Sequence, residues 1–257
     1  MRTDHPLGPP SCAVRKFVIL AAPRTGSNML CTLLNSHPSV MCHHELFNPR
    51  GIFVALDHRN SHLDLGSVVE RDRYPLRFLD RVWATSLGAS HIGFKLTRGQ
   101  ADPVMRHVLR DSSVSKILLR RSNRLKTFVS QLLAEHSDQW EAYNDGPAIS
   151  PSPMVTIEIE ALEAHSKLNE DFYEDLHREL AFGEQPFIDL LYENLHRRRE
   201  HTRALSFLGL TPPHPRLAAA SVKQSGRDLR AMIANFDELD VALRGTGYHE
   251  ELHDTRS

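Results

Sequence analysis

The chain has little cysteine, no long apolar run and almost no net charge, and each shortage closes a class of reading. Its three cysteines, Cys12, Cys31 and Cys42, are odd in number and match no zinc or redox spacing, which suits a reducing cytoplasm. No stretch approaches the roughly 20 apolar residues of a membrane span. The opening MRTDHPLGPPSCAVRK lacks the apolar core of a signal peptide. Against 31 basic residues stand 32 acidic ones, for a formal charge of −1, so no global field recruits nucleic acid or a membrane. The basic run at 196–200 reads as a solvated helix face with i,i+4 pairing. No repeat or low-complexity tract appears. The expectation is a cytoplasmic protein with one domain over 15–250, between a proline-broken N-terminal tail (1–14) and a C-terminal tail (251–257).

What is present is a set of short apolar runs: KFVILAA (16–22), HIGFKL (91–96), SKILLR (115–120) and PFIDLLY (186–192), with MVTIEI (154–159) as a fifth candidate. Helical patterns separate them. Leu125, Phe128, Val129, Leu132 and Leu133 recur along one helix face, and long amphipathic helices fit 161–181 and 194–208. Continuous apolar strands with helices between them predict an α/β fold: a single P-loop-like domain, a central parallel sheet covered on both faces, and a ligand crevice at the strand C-termini. Phe94, Phe128 and Phe207 fall in these apolar patterns and read as core. The stretch 137–153, with Trp140, Tyr143 and several prolines, is too long for a simple connector and reads as a substrate lid.

The stretch KFVILAAPRTGSNML (16–30) sets Arg24, Thr25, Gly26, Ser27 and Asn28 between a buried strand and a helix. Such a turn aims backbone N–H groups and the positive helix end into the crevice. Gly26 allows close approach of a ligand, Thr25 and Ser27 add hydroxyls, and Arg24 adds a permanent cation. Together they read as a phosphate cradle; the plain alternative is a turn with Ser27 as N-cap. It is not a Walker A loop, because no lysine follows Gly26 and no strand ends in an evident metal-holding aspartate. A phosphate site without metal apparatus suits sulfuryl transfer. The moving group there carries less charge than a γ-phosphoryl, and cationic side chains alone can stabilise it.

FVILAAPRTGSNMLCTLLNSHPSV (17–40) resembles the 5′-phosphosulfate loop of sulfotransferases that use 3′-phosphoadenosine 5′-phosphosulfate (PAPS). The likeness is closest to the bacterial carbohydrate branch, the nodulation-factor and trehalose enzymes, which has arginine where animal cytosolic enzymes have lysine. SKILLRRSNRLKTFVSQLL (115–133) resembles the family's 3′-phosphate strand and helix. By that likeness Arg121 and Ser130 grip the phosphate. They stand nine apart, one more than in the animal enzymes, so Arg120 remains a rival. HHELFNP (43–49), GFKL (93–96), LLYENL (190–195), SFLGL (206–210) and the segment 222–248 extend the resemblance over most of the chain. The last of these implies Lys223 and Gln224 as donor ligands.

The resemblance implies that Glu45 is the general base and that Lys95 faces the sulfuryl or bridging oxygen. His44 or His43 is a rival base, since imidazole titrates in the useful range. Thr97 stands where animal enzymes carry a catalytic histidine. His43-His44-Glu45 also invites a metal, but a catalytic zinc site needs three protein ligands and no partner such as H-x-x-x-H is expected for it. No metal is therefore expected. The implied co-substrate is PAPS, with adenosine 3′,5′-bisphosphate as product. The implied acceptor is a hydroxyl, or less directly an amine, of a carbohydrate, glycolipid or other small molecule; a homo-oligomer stays open. A small-molecule kinase of related fold and a non-catalytic nucleotide-binding protein remain the alternatives.

Overall fold

The structure, a computed structural model, describes residues 13–59, 63–137, 140, 154–220 and 228–255. Five parallel strands form its sheet: β1 (Arg15–Ala21), β2 (Val40–His43), β3 (His91–Thr97), β4 (Val114–Arg120) and β5 (Phe187–Leu191), in the order β2-β3-β1-β4-β5. The helices are α1 (Ser27–Asn35), α2 (Val68–Arg73), α3 (Pro75–Ala84), α4 (Asp102–Arg110), α5 (Arg124–Ser137), α6 (Ile159–Phe182), α7 (Arg198–Phe207), α8 (Phe236–Ala242) and α9 (Gly247–Leu252). Among the described residues no helix is long and apolar enough to cross a membrane.

The period-2 geometry of β1 explains the layering. Phe17, Ile19 and Ala21 pack with Leu30, Cys31 and Leu34 of α1 and with Ala204 and Leu205 of α7. Val18, Leu20 and Ala22 pack on the opposite side with residues of α3, α4 and α6. Both faces of the strand are thus covered, as the continuous apolar run requires. Strand order reverses at β1, whose neighbours are β3 and β4. Its C-terminal end is therefore the topological switch point, where open α/β sheets bind ligands.

The four principal runs become β1, β3, β4 and β5, and the fold class is the one expected. β2 adds a short strand that four residues, VMCH, do not announce. Residues 154–158 are not a strand of the sheet. They run extended and make one isolated bridge, Val155 to Ile233, while Val155 and Ile157 enter a third apolar cluster with α5, α8 and α9. That burial produces the alternation that reads as a strand. The stretch 194–208 is a 3-10 turn (Tyr192–Asn194) followed by α7. Residues 251–257, read as a tail, begin inside α9: Leu252 is buried, and the Glu251 carboxylate accepts from Arg124 Nε (2.7 Å) and the Leu125 amide (3.0 Å) at the start of α5.

The ends of β1 and β4 are tied together by one phenol from α6. Tyr173 Oη accepts from the Ala22 amide at 2.9 Å and donates to the Leu119 carbonyl at 2.5 Å. Burial pushes its pKa up to about 12, so it stays a neutral donor. Tyr173→Phe leaves a buried N–H without its acceptor, at a cost of about 1–3 kcal/mol. The melting temperature should fall by roughly 2–4 °C per kcal/mol; an unchanged melting curve would show that the phenol does not secure this junction.

Candidate active site

The turn after β1 is built for close approach. Arg24 and Gly26 both have positive φ, 63° and 84°. A Cβ on Gly26 would lie 2.1 Å from the Tyr192 ring, so both the backbone conformation and the covering ring demand glycine. Gly26 is the N-cap of α1, with no side-chain cap and no acid in the first turn. Ser27 is therefore the first helical residue and not the N-cap. The opening N–H groups of α1 keep the positive helix end available to an anion. The Thr25 hydroxyl turns inward and donates to the Ala22 carbonyl at 2.8 Å, fixing the turn.

The second motif meets this turn directly. Arg24 Nε donates to Ser130 Oγ at 3.1 Å, across 106 positions, and Arg24 Nη1 donates to the Trp140 carbonyl at 2.8 Å. Arg121 Nη1 donates to the Arg24 carbonyl at 3.4 Å and its guanidinium lies 4.9 Å from the Tyr192 ring centre. Arg120 goes elsewhere, to the Tyr173 ring face and to within 4.0 Å of the Asp189 carboxylate. Of the two rivals, Arg121 reaches the turn. Glu193 completes the junction by accepting from the Ser122 amide at 3.0 Å. A cavity of about 310 Å³ opens beside the turn, walled by Ala22, Thr25, Arg120, Arg121, Arg124 and Tyr173 among others. Ser130 does not line it.

A second polar cluster lies toward β2 and β3. Lys95 is only 2% exposed; its Nζ is 2.7 Å from Glu45 Oε1 and donates to Asn28 Oδ1 at 2.5 Å. Asn28 Oδ1 also receives His44 Nδ1 at 3.0 Å, which places the proton on that nitrogen. Glu45 Oε2 accepts from Asn48 (2.5 Å) and Gln100 (2.7 Å). Burial pushes the Glu45 carboxyl up, but the Lys95 ammonium and these donors outweigh it and hold the group below the usual glutamate value. Burial, reinforced by Lys95, drives the His44 imidazole well below 6.5, and burial with His58 drives His43 down to about 4. At neutral pH the cluster holds an ionised glutamate and two neutral imidazoles.

Several supports escape sequence reasoning. Arg71 of α2 is 1% exposed and donates through Nη1 to the carbonyls of Leu46 (3.0 Å), Asn48 (2.8 Å) and Gly51 (2.8 Å). It thereby sets the bend that presents Glu45. Gln100 bridges the Thr97 amide (3.3 Å) to Glu45, and Tyr192 forms the lid of the Gly26 turn. Only the Tyr-Glu pair in LLYENL carried any signal of these. Lys223 and Gln224 lie outside the described residues, as does the 137–153 lid stretch apart from Ser137 and Trp140. The Trp140 ring faces the Arg50 guanidinium at 5.4 Å.

No protein-family model matches the chain. Nodulation protein H of Rhizobium tropici is 28% identical over 237 residues, covering 90% of both chains. Nodulation protein H of Rhizobium meliloti strain 1021 is 29% identical over 241 residues, covering 90% of this chain and 92% of that one. Among solved structures, a sulfotransferase from Alicyclobacillus acidocaldarius aligns over 94% of this chain and 96% of its own, with TM-score 0.49 and 16% identity. The sulfotransferase domain of the Synechococcus PCC 7002 olefin synthase gives TM-score 0.41 and 15% identity, over 99% of this chain and 92% of that domain. Over nine-tenths of its length, the chain is thus similar to nodulation protein H.

Proposed function

We propose that the chain is a PAPS-dependent sulfotransferase acting on a hydroxyl of a carbohydrate-like small molecule. The observation that carries this reading is the meeting of the two motifs: Arg24 bonded to Ser130, and Arg121 bonded to the Arg24 backbone, at the sheet's switch point. Two permanent cations, a hydroxyl and the N–H groups opening α1 fit a ligand with two phosphate groups. The Gly26 turn leaves no room for a side chain beneath the Tyr192 ring, which holds the turn in this conformation. The likeness to nodulation protein H along the whole domain supports the same reading.

PAPS supplies a sulfuryl group already activated by a phosphate leaving group. Arg24 and the α1 N–H groups hold the 5′ side of the donor, and Arg121 with Ser130 holds the 3′-phosphate, which orients the donor for in-line attack. Glu45, ionised beside Lys95, accepts the proton of the attacking hydroxyl. Lys95 meets charge that develops on the sulfuryl and bridging oxygens. His44, neutral and turned to Asn28, holds that amide in place while Asn28 positions Lys95.

Adenosine 3′,5′-bisphosphate should raise the melting temperature without Mg²⁺. At 100 times its Kd the gain is about 2.7 kcal/mol, or roughly 5–10 °C. AMP at the same concentration should do much less, and Arg121→Ala should abolish the difference; equal shifts from both nucleotides would remove the 3′-phosphate site.

Glu45→Gln should lower turnover by about 10²–10⁴ with bisphosphate affinity unchanged. The same loss from His44→Ala, with Glu45→Gln active, would reverse the two roles.

In Lys95→Met the largest influence that lowers the Glu45 pKa is gone, while burial and the Asn48 and Gln100 donors remain. The carboxyl should then titrate higher than in the wild type. Carboxyl-carbon NMR titration reads this directly, and a titration unchanged from wild type would show that Lys95 does not set the charge of the base.

A further inference from the structure

We propose that Asp240, His249 and His253 form a binding site for one divalent transition-metal ion of the zinc type, which staples α9 to α8 outside the transfer site. Asp240 lies on α8; His249 lies on α9 and His253 follows it by four residues, at the helix end. The i,i+4 spacing sets both imidazoles on one side, with ring centres 4.9 Å apart. Both Nε2 atoms approach the same carboxylate oxygen, Asp240 Oδ1, at 3.2 Å from His249 and 2.5 Å from His253. All three ligand atoms lie within 4.8 Å of one another.

These separations suit an ion. With bonds of about 2.0–2.1 Å, tetrahedral zinc sets neighbouring ligand atoms about 3.3 Å apart. The His249–Asp240 edge already has that length, and the His253 edge needs to open by less than about 1 Å. His253 is the more exposed imidazole and sits at a helix end, and its ring contact with the core is an edge contact to Phe236 at 6.0 Å, which a small outward turn can lengthen. Two imidazoles and a carboxylate are a donor set of borderline divalent metals, with water as the remaining ligand at an exposed site. Arg244 Nη2 lies 3.8 Å from Asp240 Oδ2, on the other carboxylate oxygen, and leaves Oδ1 to the histidines.

The H-x-x-x-H spacing that is missing beside His43 and His44 does occur in the chain, as HEELH at 249–253. The expectation of a metal-free protein passes over this pair, and the proposal departs from it here. Between the two histidines stands Glu251, whose side chain holds Arg124 and the Leu125 amide and whose carbonyl accepts from Asn123 Nδ2 at 2.8 Å. An ion at the histidines therefore fixes the same helical turn that anchors the start of α5, the helix that carries Ser130. Its consequence is stability of that corner, and no step of the transfer passes through it.

The test uses the full chain without an affinity tag, freed of metal with a chelator and then dialysed against micromolar Zn²⁺ or Co²⁺. One ion per chain by elemental analysis, visible Co²⁺ bands of four-coordinate type, and a melting temperature raised by Zn²⁺ but not by Mg²⁺ are expected. His249→Ala and His253→Gln should each weaken uptake at least tenfold and lose the Zn²⁺-dependent rise, while bisphosphate binding persists and confirms that the variants are folded. No uptake by the wild type overturns the proposal. So does equal uptake by both variants, which would assign the ion to others of the chain's 16 histidines.

Discussion

The arrangement of the site follows from one buried charge. Lys95 carries an ammonium into a position 2% exposed, and a buried charge without partners is untenable at several kcal/mol. Glu45 supplies the countercharge and Asn28 the hydrogen bond. Each comes from a different element: Lys95 from β3, Asn28 from the first turn of α1, and Glu45 from the bend after β2. The short strand β2, paired with β3 from Val40 to His43, brings that bend alongside Lys95. Arg71 then holds the bend by three of its own carbonyls. The carboxylate is thus fixed by backbone contacts as well as by the ion pair, and it can exchange partners without the loop collapsing.

The anion turn depends on a different constraint, the geometry of β1. Its neighbours on both sides are laid down later in sequence, so residues near 24, 121, 130 and 192 meet only when the sheet is complete. Tyr173 ties the end of β1 to β4, and Tyr192 covers Gly26 from the end of β5. The turn proposed to hold phosphate is therefore a product of the whole sheet. A local loop motif alone would not place Arg121 on the Arg24 carbonyl.

How much of this the sequence discloses depends on distance along the chain. β1, β3, β4 and β5 were legible because each is a predominantly apolar run, buried throughout in β3, nearly so in β1 and β4, and only in part in the edge strand β5. VMCH of β2 was not, since four residues with a terminal histidine fit a turn as well as a strand. Residues 154–158 misled because Val155 and Ile157 alternate like a strand while packing into a cluster outside the sheet. Arg24, Glu45 and Lys95 could be named from local context and resemblance. Arg71 and Gln100 could not, because their roles lie in what they touch: three carbonyls at 46–51 and a carboxylate 55 positions away. The different surroundings of Arg120 and Arg121 likewise emerge only in the structure, where Arg121 reaches the Arg24 carbonyl and Arg120 the Tyr173 ring.

The arginines around the junction are held in two different ways. Arg124 is held by the Glu251 and Glu170 carboxylates, with the Tyr248 ring 4.1 Å beneath it. Its charge is spent on fixing α9 to α5, and those carboxylates raise its pKa against the pull of burial. Arg121 is held instead by a carbonyl and an aromatic face. Burial lowers its pKa, although Tyr192 and Glu193 oppose the shift. A guanidinium stays charged at neutral pH under either influence. The difference is in unspent attraction: a carbonyl and a ring face position the Arg121 fork without forming the bidentate pair that a carboxylate would. A phosphate bound there, as proposed, would meet a cation already oriented and largely desolvated, so little ordering cost would remain to be met on binding. In the function proposed above, an array of this kind would favour an anion without any metal, which is how a turn lacking the Walker lysine would serve a doubly phosphorylated nucleotide.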